Sequence, residues 1–165
     1  MAESAFTLHS PTVAPNSTVA DQHVYDGFGC SGKNISPALT WSGAPAGAKS
    51  FALTLYDPDA PTGSGWWHWV VYNIPGSVTQ LPQGSGNAGS KLPAGAAHGL
   101  NDYGVAGYGG PAPPAADQPH RYVFTLYALK TDHIDVPPGS STALIGFMLN
   151  ANKLATASFT ARYGR

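Results

Sequence analysis

The sequence predicts an antiparallel, sandwich-like β protein with little helix, folded as one domain over residues 1–165. Three observations carry this expectation. Twenty glycines and fifteen prolines among 165 residues favour turns and extended segments over long helices. Four runs of aromatic and β-branched residues are bounded by turn signals. Only one late stretch spaces its apolar residues as a helix does. At this length, 42% apolar residues suffice for one proper core, and no repeat, charge block or linker divides the chain.

Each element has its own justification. Phe6-Thr-Leu8 and Leu39-Thr-Trp41 are short strand candidates. Phe51-Ala-Leu-Thr-Leu-Tyr56 and Trp67-His-Trp-Val-Val-Tyr72 are dense in aromatic and β-branched side chains, which fit a pleated, half-buried surface. Between them Pro58 and Pro61 stiffen a turn, and Ala60-Pro61 is a candidate for a cis bond. The segment from Pro82 to Ala116 is rich in Gly, Pro and Ala without periodicity; loops that long are uncommon and often functional. Tyr122-Val-Phe-Thr-Leu-Tyr-Ala-Leu129 is the strongest strand. Ser140 or Ser141 can cap a helix whose Ala143, Leu144, Phe147 and Met148 recur at helical spacing. Ala157-Ser-Phe-Thr-Ala-Arg-Tyr163 alternates apolar with polar, as a half-buried strand does.

Composition narrows the function classes. A net charge of −1 offers no basic face for nucleic acid. Only 10% of residues are charged, against about 25% in ordinary proteins, so repulsion between copies is weak and self-association is expected. The single cysteine, Cys30, excludes an intrachain disulfide and fits a reducing compartment. Residues 1–20 lack the basic start and apolar stretch of a secretory signal, and no run approaches the roughly 20 apolar residues of a membrane span. A soluble, cytoplasmic protein is expected.

Several motifs are decoys. Gly27-Phe-Gly29-Cys-Ser-Gly32 fits G-x-G-x-x-G, and Gly27 to Lys33 fits the start of a P-loop. Both need a helix directly afterwards to hold phosphates, whereas Asn34-Ile-Ser-Pro37 follows, with a proline that disfavours one. No nucleophile elbow occurs. Asp57, His68 and His120 could form a two-His, one-carboxylate metal face, but they lack close ligand spacing, so no metal and no cofactor is expected. His9, His23, His98 and His133 are read as surface or loop histidines, and Cys30 as a loop residue.

The residues that carry chemistry lie in two places. Asp57-Pro-Asp-Ala-Pro61 leads to Trp66-Trp-His-Trp69, and Gly109-Gly-Pro-Ala-Pro-Pro114 leads to His120-Arg-Tyr122. In each, a rigid turn stands beside a histidine at a strand edge. If the two meet, they form a pocket of imidazoles, a carboxylate and backbone amides suited to an anion. Asp57 would accept a hydrogen bond from one imidazole and favour its charged form; the imidazolium would donate to a phosphate oxygen. Only Gly109, Gly110 and Ala112 have amides to offer in the second turn, since Pro111, Pro113 and Pro114 have none. Tyr122 adds a hydroxyl on the His120 face of a regular strand. An indole at the mouth could pack on an alkyl or glycerol portion of a ligand. Spacing alone leaves two readings open: a binding site, or satisfied polar groups inside a β core.

The chain resembles the phosphatidylethanolamine-binding protein family, specifically its bacterial and archaeal branch of Raf kinase inhibitor-like proteins. The resemblance rests on Asn34-Ile-Ser-Pro-Ala-Leu-Thr-Trp41, Asp57-Pro-Asp-Ala-Pro61, Gly65-Trp-Trp-His-Trp-Val-Val-Tyr-Asn-Ile-Pro75, Gly107-Tyr-Gly-Gly-Pro-Ala-Pro-Pro114 and His120-Arg-Tyr-Val-Phe124. Leu154-Ala155 and Tyr163-Gly-Arg165 add to it, and it spans roughly residues 4 to 165. It implies a Greek-key antiparallel β-sandwich with one or two short helices near the C-terminus. It also implies a phosphate-type pocket lined by Asp57, His68, Pro113, His120 and Tyr122, with Asp59 and Ala112 beside it. Homodimers, and inhibition or scaffolding of kinases and proteases, occur among similar proteins. Ala112 stands where bacterial relatives often have cysteine, and Asn152 where a histidine is common.

The expectation is therefore non-enzymatic binding of a phosphate-bearing small molecule, a lipid head group or a phosphorylated side chain. A second reading is inhibition of a kinase or protease through the pocket rim and the 82–116 loop. A hydrolase using the histidines and Asp57 ranks last, because neither a nucleophile nor a metal set is evident.

Overall fold

Strands that are apolar nearly throughout need cover on both faces, and here both faces of the main sheet are covered. The computed structural model describes residues 5–165; the first four residues of the expected domain lie outside them. In chain order the strands are β1 (Thr7–His9), β2 (Asp26–Gly27), β3 (Cys30–Ser31), β4 (Leu39–Ser42), β5 (Ser50–Asp57), β6 (Trp66–Pro75), β7 (Gln80–Leu81), β8 (Ala97–His98), β9 (His120–Leu129) and β10 (Lys153–Tyr163). A five-stranded sheet has the order β10-β9-β5-β6-β8, a three-stranded sheet β1-β4-β7, and β2 pairs with β3. All these pairings are antiparallel. The run β9-β5-β6-β8 has the 4-1-2-3 order of a Greek key. Mainly β architecture with a late helix is as expected.

The sandwich core lies between the two sheets. Leu8, Leu39, Trp41 and Leu81 of the small sheet meet Phe51, Leu53, Leu55, Trp69, Val71, Phe124, Leu126 and Phe159 of the large one. The intervening residues of the large sheet, Ala52, Val70, Tyr72 and Leu129, face the other way and pack on Ile134, Ile145 and Leu149. Burial on both faces explains why β5 is apolar almost throughout rather than alternating.

The helix α1 (Thr142–Asn152) begins where the serine pair suggests, with the Ser141 side chain accepting a hydrogen bond from the Leu144 amide. Helical spacing of the apolar residues does not by itself choose the buried face. Thr142, Ile145 and Leu149 are buried, whereas Leu144 is 41% and Phe147 68% exposed. The segment is apolar on more than one side, so periodicity alone admits two faces, and the cap sets the phase against the sheet.

Other local expectations are corrected. Ala60–Pro61 is trans, since the described residues contain no cis bond. His23 is fully buried at the single-turn 3-10 helix Asp21–His23. Its Nδ1 donates to the Ile35 carbonyl at 2.7 Å and its Nε2 pairs with the Thr12 hydroxyl at 3.0 Å. His98 lies in β8 and is half-buried, with Nε2 accepting from the Trp69 indole at 3.1 Å. Cys30 is buried in β3 rather than lying in a loop. Among the described residues no helix is long and apolar enough to cross a membrane.

Candidate functional site

Antiparallel pairing brings the end of β5 and the starts of β6 and β9 to one edge of the large sheet. Asp57 is the last residue of β5 and His120 the first of β9. The ladder between β5 and β6 pairs Leu55 with Trp69 but Tyr56 with Trp67, so His68 is the extra residue of a β-bulge. In a regular strand His68 would face away from its neighbour Trp69. The bulge turns its ring against Tyr122, 5.3 Å between centroids, on the sandwich side.

These three side chains border one cavity of about 220 Å³, together with Phe28, Ala60, Pro61, Thr62, Trp66, Tyr103, Ala112, Pro113 and Pro114. The two motif segments therefore meet. Most of the wall is apolar, with the polar groups gathered where the strand ends converge. Two aromatic rings of the wall, Phe28 and Tyr103, lie 5.8 Å apart, and Tyr25 stacks on Tyr103 at 4.0 Å from outside the lining.

His120 is held by carboxylates on both sides. Its Nδ1 donates to Asp57 Oδ2 at 2.7 Å and its Nε2 to Asp117 Oδ2 at 3.0 Å. Burial opposes its charge, but the two carboxylates outweigh this and hold the imidazole above its usual range. Asp57 is also buried, and loss of water raises its carboxyl, while His120 and the Asp59 amide pull it back down. The expected hydrogen bond between Asp57 and an imidazole is thus present, and its partner is His120.

His68 behaves differently from His120. Its Nδ1 donates to the Gly109 carbonyl at 2.7 Å, and complete burial lowers its pKa to about 4. The ring is neutral near pH 7. A carbonyl can only accept, so the proton sits on Nδ1 and Nε2 offers a lone pair. Among the described residues that Nε2 has no hydrogen-bond partner, and neither do the buried Trp66 Nε1 and Tyr122 hydroxyl.

The strap of residues 99–114 is tied down by its own amides. Gly109 N–H donates to the His68 carbonyl and Gly110 N–H to Asn34 Oδ1. Of the three amides expected to face an anion, only that of Ala112 is uncommitted among the described contacts. A Cβ on Gly110 would sit 2.1 Å from the His23 carbonyl, so the strap passes too close to the chain below for any other residue. Arg165 fastens the far side, donating to the Pro113, Gly29 and Phe28 carbonyls.

Of the seven site residues expected, Asp57, His68, Ala112, Pro113 and His120 border the cavity. Tyr122 stands behind His68 and is buried. Asp59 turns outward, where it pairs bidentately with Arg121 and accepts from the Arg121 amide; this pairing holds its carboxyl down to about 2. It anchors the 57–65 turn to β9. Sequence reasoning missed Phe28, Tyr103 and Asp117. Phe28 was visible only as part of a decoy glycine motif. Tyr103 is an aromatic residue inside the Gly/Pro-rich segment, and that contrast was its signal. No local signal pointed to Asp117.

Comparison with known proteins gives a consistent picture. Residues 9–164 match the family described as phosphatidylethanolamine-binding protein. The chain is 56% identical to YbcL of Escherichia coli over 161 residues, covering 97% of this chain and 88% of YbcL. It is 51% identical to YbhB of the same organism over 142 residues, covering 86% of this chain and 89% of YbhB. The crystal structure of YbcL, described as a new member of the mammalian PEBP family, superposes with a TM-score of 0.95 over 99% of both chains. A Chlamydia trachomatis homologue at 31% identity gives 0.81 over 98% of both.

Proposed function

The chain belongs to the phosphatidylethanolamine-binding protein family, and from that premise we propose that its cavity binds a phosphate-type anion on an organic body, without catalysing a reaction. The supporting observation is His120, the one imidazole among the cavity-lining residues whose pKa is raised rather than lowered, so that its charged form is favoured. Asp57 orients this imidazole from behind, and the Nε2 edge is where an anionic oxygen would be received. A negatively charged oxygen already occupies that edge, contributed by Asp117, whose side chain is 40% exposed. The contact is the one a phosphate oxygen would make, and a ligand reaching it from the cavity would displace Asp117, which lines the adjoining surface groove and not the cavity itself.

The rest of the wall suits the organic part. Phe28, Trp66, Tyr103, Pro61 and Pro113 present apolar surface that a phosphate alone would leave unused. Pro113 and Ala112 close the cavity opposite the strand ends, and Tyr122 backs His68. A head group or phosphorylated small molecule fits this mixture better than inorganic phosphate does.

Titration calorimetry at pH 6 with phosphoethanolamine tests the reading. Charge-assisted hydrogen bonds contribute about 1.5–3 kcal/mol, so His120→Gln is expected to weaken binding by about 10- to 150-fold. Equal affinity in the two proteins would contradict it.

A further inference from the structure

We propose that His68 makes the cavity select anions that still carry a proton, so that a monoprotonated phosphate ester is accepted and a sulfate ester is rejected. The proposal rests on the anion-binding reading above and specifies the chemical state of its ligand. Its basis is the hydrogen-bond polarity of the groups left unsatisfied at the cavity.

The Gly109 carbonyl fixes the His68 tautomer by accepting from Nδ1 at 2.7 Å. The strap cannot easily release this contact, because Gly109 N–H in turn donates to the His68 carbonyl at 3.0 Å. Nε2 is consequently a fixed acceptor, buried and without a partner, on a residue only 2% exposed. Trp66 Nε1 supplies an unpartnered donor at the same cavity. A ligand that satisfies both must offer one donor and one acceptor. A phosphate monoester in its singly protonated form has a P–OH to give to His68 and P–O oxygens for Trp66 and His120. A sulfate ester has the same charge and nearly the same shape, but only acceptors. Its oxygen would face the Nε2 lone pair, leaving two acceptors buried against each other.

The surrounding charges act in the same direction. The groups that face His68 are Asp57 from β5, His120 and Tyr122 from β9, and Tyr103 from the strap. Tyr103 and Tyr122 stay protonated because burial raises both phenols. His120 is one cation between two carboxylates, Asp57 and Asp117. With Asp117 displaced by the ligand, Asp57 still balances His120, so a doubly charged phosphate would add a negative charge that nothing at the cavity offsets. A singly charged, protonated one brings less repulsion and the missing donor.

The test compares phosphoethanolamine with ethanolamine O-sulfate by titration calorimetry on the unaltered protein at pH 5.5, 6.5 and 7.5. At pH 5.5 the phosphate group is mostly singly charged, as the sulfate is, since the second phosphate pKa is about 6. The sulfate ester is expected to bind at least about tenfold more weakly at that pH. Phosphoethanolamine affinity should fall towards about tenfold per pH unit above the phosphate pKa. A sulfate ester less than tenfold weaker at pH 5.5 overturns the proposal and leaves the anion-binding reading standing. Absence of binding by either ligand at every pH overturns both. His68→Gln, whose amide has donor as well as acceptor character, is expected to narrow the phosphate-to-sulfate ratio; a purely structural role would lower both affinities equally and contradict the proposal. Should that variant fail to fold, the comparison on the unaltered protein decides the matter.

Discussion

Two histidines that look equivalent in the sequence have their pKa values pushed in opposite directions, because their ring nitrogens meet different partners. His120 meets carboxylates at 2.7 and 3.0 Å, which favour its charged form. His68 meets a carbonyl at one nitrogen and nothing at the other, and stays neutral. The sequence made Asp57, His68 and His120 legible as a set, since each stands at a strand edge beside a proline-rich turn. It could not reveal which ring favours its charged form, because that depends on the Gly109 carbonyl, brought in from 41 residues away. Asp117 was invisible for a related reason: an exposed loop carboxylate has no pattern until its partner is placed. Its role gives a prediction at this scale. Removing its charge with Asp117→Asn frees the His120 Nε2 edge, and partly exposed ion pairs are worth about 0.2–1 kcal/mol. Phosphoethanolamine affinity is expected to rise by about 1.4- to 5-fold, measured by calorimetry; a fall would show that Asp117 helps hold the ligand instead.

Strands were easier to read than the pieces that join them. Aromatic and β-branched runs located β5, β6, β9 and β10 to within a few residues at most ends, although β10 starts four residues before its expected first residue. The bulge at His68 was not legible, because an extra residue shows only when two strands are in register. The helix was located correctly, but apolar residues on more than one side left its buried face open. Its energetics separate the two assignments. Ile145→Ala and Leu149→Ala empty buried space beneath the large sheet and are expected to cost about 2–5 kcal/mol each. Leu144→Ser and Phe147→Ser, on the exposed side, should stay within about 0.5 kcal/mol. Denaturant unfolding midpoints of the four variants check this, and the reverse ranking would place the opposite face against the sheet.

Across the whole molecule, the buried histidines tie stability to pH. Unfolded, His68 titrates near the ordinary histidine value, whereas folded it binds a proton only below about 4. The unfolded chain then binds more protons between about 6.5 and 4, so stability falls as pH falls through that window. The loss attributable to His68 is about 3 kcal/mol, and His23 and His98, both lowered by burial, add in the same direction. Asp57 works against them, because its raised carboxyl takes up protons more readily when folded. His120 acts at the other end: its raised pKa supplies stability that is complete below about 6.5 and is lost as pH rises through the folded value. Thermal unfolding from pH 4 to 8 is expected to peak near neutrality with a steep acid side. A melting temperature that rises steadily on acidification would contradict the neutral, buried state of His68.

The convergence of β5, β6, β9 and the strap matters only if a ligand occupies the space they enclose. The most direct measurement is a nitrogen-15 NMR titration of the unaltered protein with phosphoethanolamine at pH 6, following the His68 and His120 ring signals and the Trp66 indole N–H. Saturable shifts of all three residues, with distant Trp41 unmoved, are expected. Shifts confined to other surfaces, or none at millimolar ligand, would contradict an anion site at this sheet edge.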